Sequence, residues 1–216
     1  MFSPSRSVKV IAAAALFGAA MLIVPAASGT EQPASTTVPE DLASPAPLII
    51  AVHGYGAHKR YMMREAKQIA PNDFAIVSLQ APHQHFRVDN GSYKIGFGWL
   101  TDYKAEESVA LHQKFVLDVI EKLKSEQIID EKRIYLYGFS QACALNFRFA
   151  FTYPELLRGV LGVCGGIPGD LETSEVYRPT EADVFYLYSR NDDFYPLEKF
   201  EVFAEKLRNY LPNYEA

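Results

Sequence analysis

Gly138-Phe139-Ser140-Gln141-Ala142 sets a hydroxyl between two small residues, at the point where a strand-like run, residues 133–139, passes into a helical pattern. Small residues two before and two after the serine let strand and helix approach while the serine occupies a strained backbone well. This is the G-x-S-x-G nucleophile elbow with alanine in the last place, and it lifts a hydroxyl to the carboxyl edge of a sheet. The helix amino terminus behind it offers unpaired N–H groups to a developing oxyanion. The plainer reading of the same letters is a serine in a turn that caps the helix.

Two other segments carry polar chemistry. His53-Gly54-Tyr55-Gly56 breaks a short apolar run, which predicts a buried strand followed by a loop in which backbone does the work. Ser189-Arg190-Asn191-Asp192-Asp193-Phe194-Tyr195-Pro196 follows the last apolar run, so a carboxylate comes after the serine in chain order. A neutral hydroxyl attacks poorly until a base takes its proton, and attack on a carbonyl places negative charge on the former carbonyl oxygen.

The elements that must position these groups are legible in turn. Residues 47–52 and 74–79 are continuous apolar runs too short for helices, hence buried strands. Residues 60–69 read as a helix between them. Residues 80–102 read as a long loop. From 103 to 125, Val109, His112, Phe115, Val116, Val119, Ile120 and Leu123 recur at helical spacing. The elbow follows, then strands near 157–163 and 184–188, with a closing helix over 196–210. Strands alternating with helices specify a parallel sheet covered on both faces, with ligands beyond the carboxyl ends of its strands.

Composition, 49% hydrophobic and 22% charged residues with 14 Phe and 13 Tyr, is that of a globular domain. Residues 1–28 carry only Arg6 and Lys9 as charges around an apolar run over 10–27, the pattern of an export signal or, if uncleaved, a membrane anchor. The protein is therefore expected to be exported. Residues 29–46, rich in Ser, Thr, Pro and Ala, read as a flexible linker, leaving 47–216 as the folded domain. Losing residues 1–28 would take the formal charge from −5 to −7, an acidic balance that argues against nucleic acid as a partner. Cys143 and Cys164, the only cysteines, could form a disulfide in an exported protein, but apolar neighbours read them rather as buried free thiols. No metal-binding spacing stands out, and no cofactor is expected.

Taken together, H-G-x-G at 53–56, G-F-S-Q-A at 138–142 and an acid four residues before Pro196 resemble the phospholipase/carboxylesterase group of the α/β-hydrolases, small esterases without a large lid. The resemblance covers roughly residues 47–216. It implies an α/β fold with a parallel sheet, Ser140 as nucleophile and Asp192 rather than Asp193 as the carboxylate that orients the base. It also implies an oxyanion hole built from the Tyr55 and Gln141 N–H groups, and a small-molecule ester or thioester as substrate. In that family the base is a histidine in a loop beyond the acid and one more strand. All five histidines here, His53, His58, His83, His85 and His112, precede Ser140. The expectation is thus a domain lacking its last strand and helix, without its triad base and inactive as it stands. His83 and His85, in the loop after residue 79, are the candidates for a substitute base, while Tyr93, Phe97 and Trp99 are either pocket walls or core. The rival expectation is a ligand-binding protein on a hydrolase scaffold.

Overall fold

The computed structural model describes residues 33–70, 72–212 and 214–215. Its centre is a seven-stranded sheet of β1 (Ala34–Thr37), β2 (Ala46–Val52), β3 (Ala75–Leu79), β6 (Ile129–Phe139), β7 (Gly159–Val163), β8 (Asp183–Leu187) and β9 (Tyr214–Glu215), in spatial order β1-β3-β2-β6-β7-β8-β9. Every neighbouring pair is parallel except β1 with β3. The helices are α1 (Lys59–Ile69), α2 (Ala105–Ser125), α3 (Gln141–Thr152) and α4 (Leu197–Leu207).

The two-residue period of β2 decides which helices cover which face. Leu48, Ile50 and Val52 point into one core with Val116 and Leu123 of α2, Phe147 and Phe151 of α3, and Phe200 of α4. Ile49 and Ala51 point the other way, to Met62 and Ala66 of α1. A strand buried on both sides must be apolar throughout, which is why 47–52 reads as an unbroken run. Each fully buried Leu or Ile side chain contributes about 1.5–3 kcal/mol.

Three expectations are corrected. Residues 34–37, assigned to the linker, form β1 and pair antiparallel with β3 in register Ala34 to Leu79, and Ala46 already belongs to β2. The long loop over 80–102 contains an antiparallel hairpin, β4 (His83–Asp89) and β5 (Ser92–Gly98), joined by Asn90-Gly91. Both turn residues have positive φ, 48° and 76°, the requirement of a tight two-residue hairpin turn. Beyond β8 the sheet continues into β9, where no further strand was expected. The expected export segment, residues 1–28, lies outside the described residues. Among the described residues no helix is long and apolar enough to cross a membrane.

Candidate active site

Ser140 follows β6 with φ 54° and ψ −118°, a conformation costly for any residue with a Cβ. Its side chain makes no capping bond to α3, so the reading of Ser140 as a helix cap is set aside. The strain is imposed from both sides. The Ser140 N–H donates to the Val163 carbonyl at the end of β7, 2.9 Å away, and the Ser140 carbonyl accepts from Cys143 N–H at 3.0 Å. A methyl group on Gly138 would stand 2.6 Å from Asn146 Nδ2, and Ala142 is fully buried, which is why this turn takes small residues at both places.

The loop after β2 lies directly over the elbow. A methyl on Gly54 would meet the Phe139 carbonyl at 3.0 Å and Ser140 Cβ at 3.1 Å. Of the two expected oxyanion amides, that of Gln141 follows Ser140 directly in the chain, and that of Tyr55 follows Gly54, which packs on the Ser140 Cβ. Trp99 ties the halves together: its N–H donates to Gln141 Oε1 at 3.0 Å, and its indole Nε1–H donates to the His53 carbonyl at 2.8 Å. Trp99 is 1% exposed and is core, whereas Tyr93 is exposed at the hairpin tip. The hairpin also clamps the loop, through Gly56 N–H to the Phe97 carbonyl at 2.8 Å and Arg87 Nη1 to the Gly56 carbonyl at 3.1 Å.

Asp192 lies after β8. Its Oδ1 accepts the N–H groups of Phe194 and Tyr195, both at 2.9 Å, while Asp193 is exposed. Asp192 is related to the serine through the neighbouring residues Cys164 and Gly165. Gly165 is pressed so closely on the elbow that a methyl there would stand 2.2 Å from the Ser140 carbonyl. Burial and then the Asp192 charge push the neighbouring Cys164 thiol above its usual range, which puts the carboxylate beside that residue. Cys164 itself has φ 49°. Cys143 is buried and free, its thiol pushed up to about 12 by burial, and Cys164 is also free. Sequence reasoning missed Gly165 and Trp99 as supports, because each acts through a contact far away in the chain.

No histidine is hydrogen-bonded to Ser140 or Asp192 among the described residues. His58 accepts the Tyr61 N–H as the cap of α1, and His83 bonds Ser108 Oγ at 3.1 Å. His85 stacks on Tyr55 with ring centroids 4.4 Å apart. His112 is buried edge-on to Trp99, and burial lowers its pKa to about 3. His53 is buried beneath the loop; burial, with the nearby His58 charge adding to it, lowers its pKa to about 4 against a raising bond to Gly54. No cluster of metal-ligating side chains occurs among the described residues.

A parallel sheet with a strained serine between strand and helix, a backbone loop over it and a carboxylate beyond a later strand defines an α/β-hydrolase. The chain belongs to the phospholipase/carboxylesterase family, whose match spans residues 34–216. Acyl-protein thioesterase 1 of Gibberella zeae is 28% identical over 106 residues, which are 47% of this chain and 45% of that protein, so the match spans less than half of this curated relative. The fold is shared with esterase PE8, at TM-score 0.63 and 21% identity over 81% of this chain and 82% of that one. It is shared too with the carboxylesterase of Bacillus cereus, at TM-score 0.61 and 17% identity over 82% and 79%.

Proposed function

We propose that this protein is a serine hydrolase that cleaves carboxylic esters or thioesters through a seryl acyl-enzyme. The observation that carries the reading is Ser140, held in a strained conformation at the start of α3 with no capping bond, under a loop that meets its Cβ. Ser140 Oγ attacks the carbonyl carbon, and the Tyr55 and Gln141 N–H groups receive the charge on the oxygen. The alcohol or thiol leaves with a proton, and water then attacks the acyl-enzyme to release the acid and restore Ser140. Asp192 orients the base that moves these protons.

Among the described residues no imidazole is hydrogen-bonded to Ser140 or Asp192, so in an assay of residues 1–216 alone the proton passes to solvent. Turnover then falls by about a thousandfold to a millionfold relative to a complete triad. Soluble imidazole is the test. Added to the purified chain with a p-nitrophenyl ester and an acyl thioester, it accelerates release with saturation, and Ser140→Ala removes the acceleration. Rapid turnover without imidazole that survives Ser140→Ala overturns the proposal. The second reading, a ligand-binding domain without turnover, is favoured by the lack, among the described residues, of a hydrogen bond from any histidine to Ser140; it predicts no imidazole effect on either chain. The thioester arm draws support from the relative's name, the substrate is a small molecule, and the acidic charge balance argues against nucleic acid as a partner. Residues 1–28 act as an export signal or anchor, which amino-terminal sequencing of the exported protein tests.

A further inference from the structure

The histidine that opens the loop is bonded on both ring nitrogens, and the bonds fix its proton. The Ala81 backbone N–H points at His53 Nε2 from 3.1 Å, and the Gln80 side-chain nitrogen lies 3.3 Å from the same atom. A backbone N–H can only donate, so Nε2 must present a lone pair. The ring proton of the neutral imidazole is then on Nδ1, which lies 2.7 Å from the Gly54 carbonyl oxygen and donates to it. That oxygen belongs to the same peptide group as the Tyr55 N–H. In a trans peptide the two bonds point in opposite directions, so holding one aims the other. Among the described residues, nothing accepts a hydrogen bond from the Tyr55 N–H.

We infer that His53 is a positioning residue for the oxyanion site: its Nδ1–H pins the Gly54 carbonyl and so aims the unpaired Tyr55 N–H at the oxygen that becomes negative when Ser140 attacks. The inference rests on the serine reading, and it gives the buried imidazole a role at one remove from the reacting atoms. Gln80 completes the relay, since its Oε1 accepts the Lys59 N–H at 3.2 Å while its nitrogen faces His53, so the tautomer is fixed from the start of α1.

Asparagine at 53 can place its amide nitrogen where Nδ1 stands, while glutamine places its polar atoms where Nε2 stands. The full chain and both variants are titrated with phenylboronic acid. Ser140 Oγ adds to boron, the hydroxyl proton passes to buffer, and the tetrahedral boronate carries one negative charge. His53→Asn is expected to stay within a few-fold of the parent affinity, and His53→Gln to bind about a hundredfold more weakly, the scale of losing one oxyanion donor. Melting temperatures of both variants are taken in parallel, and the long-range 1H–15N spectrum of the parent reports the tautomer. Equal losses in the two variants, loss in neither, or a proton on Nε2 would overturn the inference. Failure of the serine reading looks different: parent and Ser140→Ala then bind boronate equally, while the spectrum still decides the tautomer.

Discussion

Ser140 stores strain that any residue with a side chain must bear at φ 54°, and glycine at that position bears little of it. Ser140→Gly should therefore raise the free energy of unfolding by about 1 kcal/mol, read from urea denaturation, while removing the hydroxyl on which the proposed chemistry depends. Gly165 behaves in the opposite sense. A methyl group there would lie 2.2 Å from the Ser140 carbonyl and 2.5 Å from Cys143 Sγ, with backbone on one side and a buried side chain on the other. Gly165→Ala should lower stability by about 1–3 kcal/mol in the same assay. The letters nominate Ser140 and Asp192 because each sits in a short local pattern. They do not nominate Gly165 and Trp99, since what fixes these is contact with the elbow from 25 and 42 residues away.

At the scale of elements, two buried histidines make stability depend on pH. His53 beneath the loop after β2 and His112 on α2 have folded pKa values lowered to about 4 and about 3, against 6.5 for the exposed ring. Below pH 6.5 the unfolded chain takes up protons that the folded chain refuses, so stability is fully present above 6.5 and is lost as the pH falls towards 4. Each group contributes about 1.4 kcal/mol per pH unit across that window. Urea midpoints at pH 7, 6, 5 and 4 should fall progressively, and His112→Phe should flatten the slope by about half. The strands and helices that the sequence announces are those with one consistent period: 47–52, 74–79 and 103–125 appear as β2, β3 and α2 within two residues at either end. The hairpin was obscured because its strands are mostly exposed and carry charge, although Asn90-Gly91 between Val88 and Tyr93 is a turn signal. β1 was obscured for a related reason, being a four-residue edge strand of Ala, Ser and Thr that gains its structure only from β3.

Across the whole molecule the two faces of the sheet are unequally covered. Among the described residues, α2, α3 and α4 pack on one face, while α1 is the helix that packs on the other, against β2 and β3. Over β6, β7 and β8 that second face forms an open cleft of about 860 Å³ lined by Tyr135, Tyr137, Leu161 and Phe185. Phe185 and Leu187 are 49% and 41% exposed on a sheet of the kind that is normally buried on both sides. A dye that fluoresces in apolar sites should bind the folded protein there, and Phe185→Glu should reduce its fluorescence at unchanged melting temperature. Alternation of strand and helix made the parallel sheet legible in the sequence. Coverage was not, because it depends on which side each connection takes.

Attack by Ser140 is the step from which the rest of the proposed chemistry follows. Treatment of the purified chain with a fluorophosphonate in the presence of soluble imidazole, followed by peptide mass spectrometry, reads that residue directly. A single adduct on the peptide containing Ser140, formed faster with imidazole and absent from Ser140→Ala, is the expected result. An adduct on another residue, or none under conditions where imidazole accelerates ester hydrolysis, would contradict it.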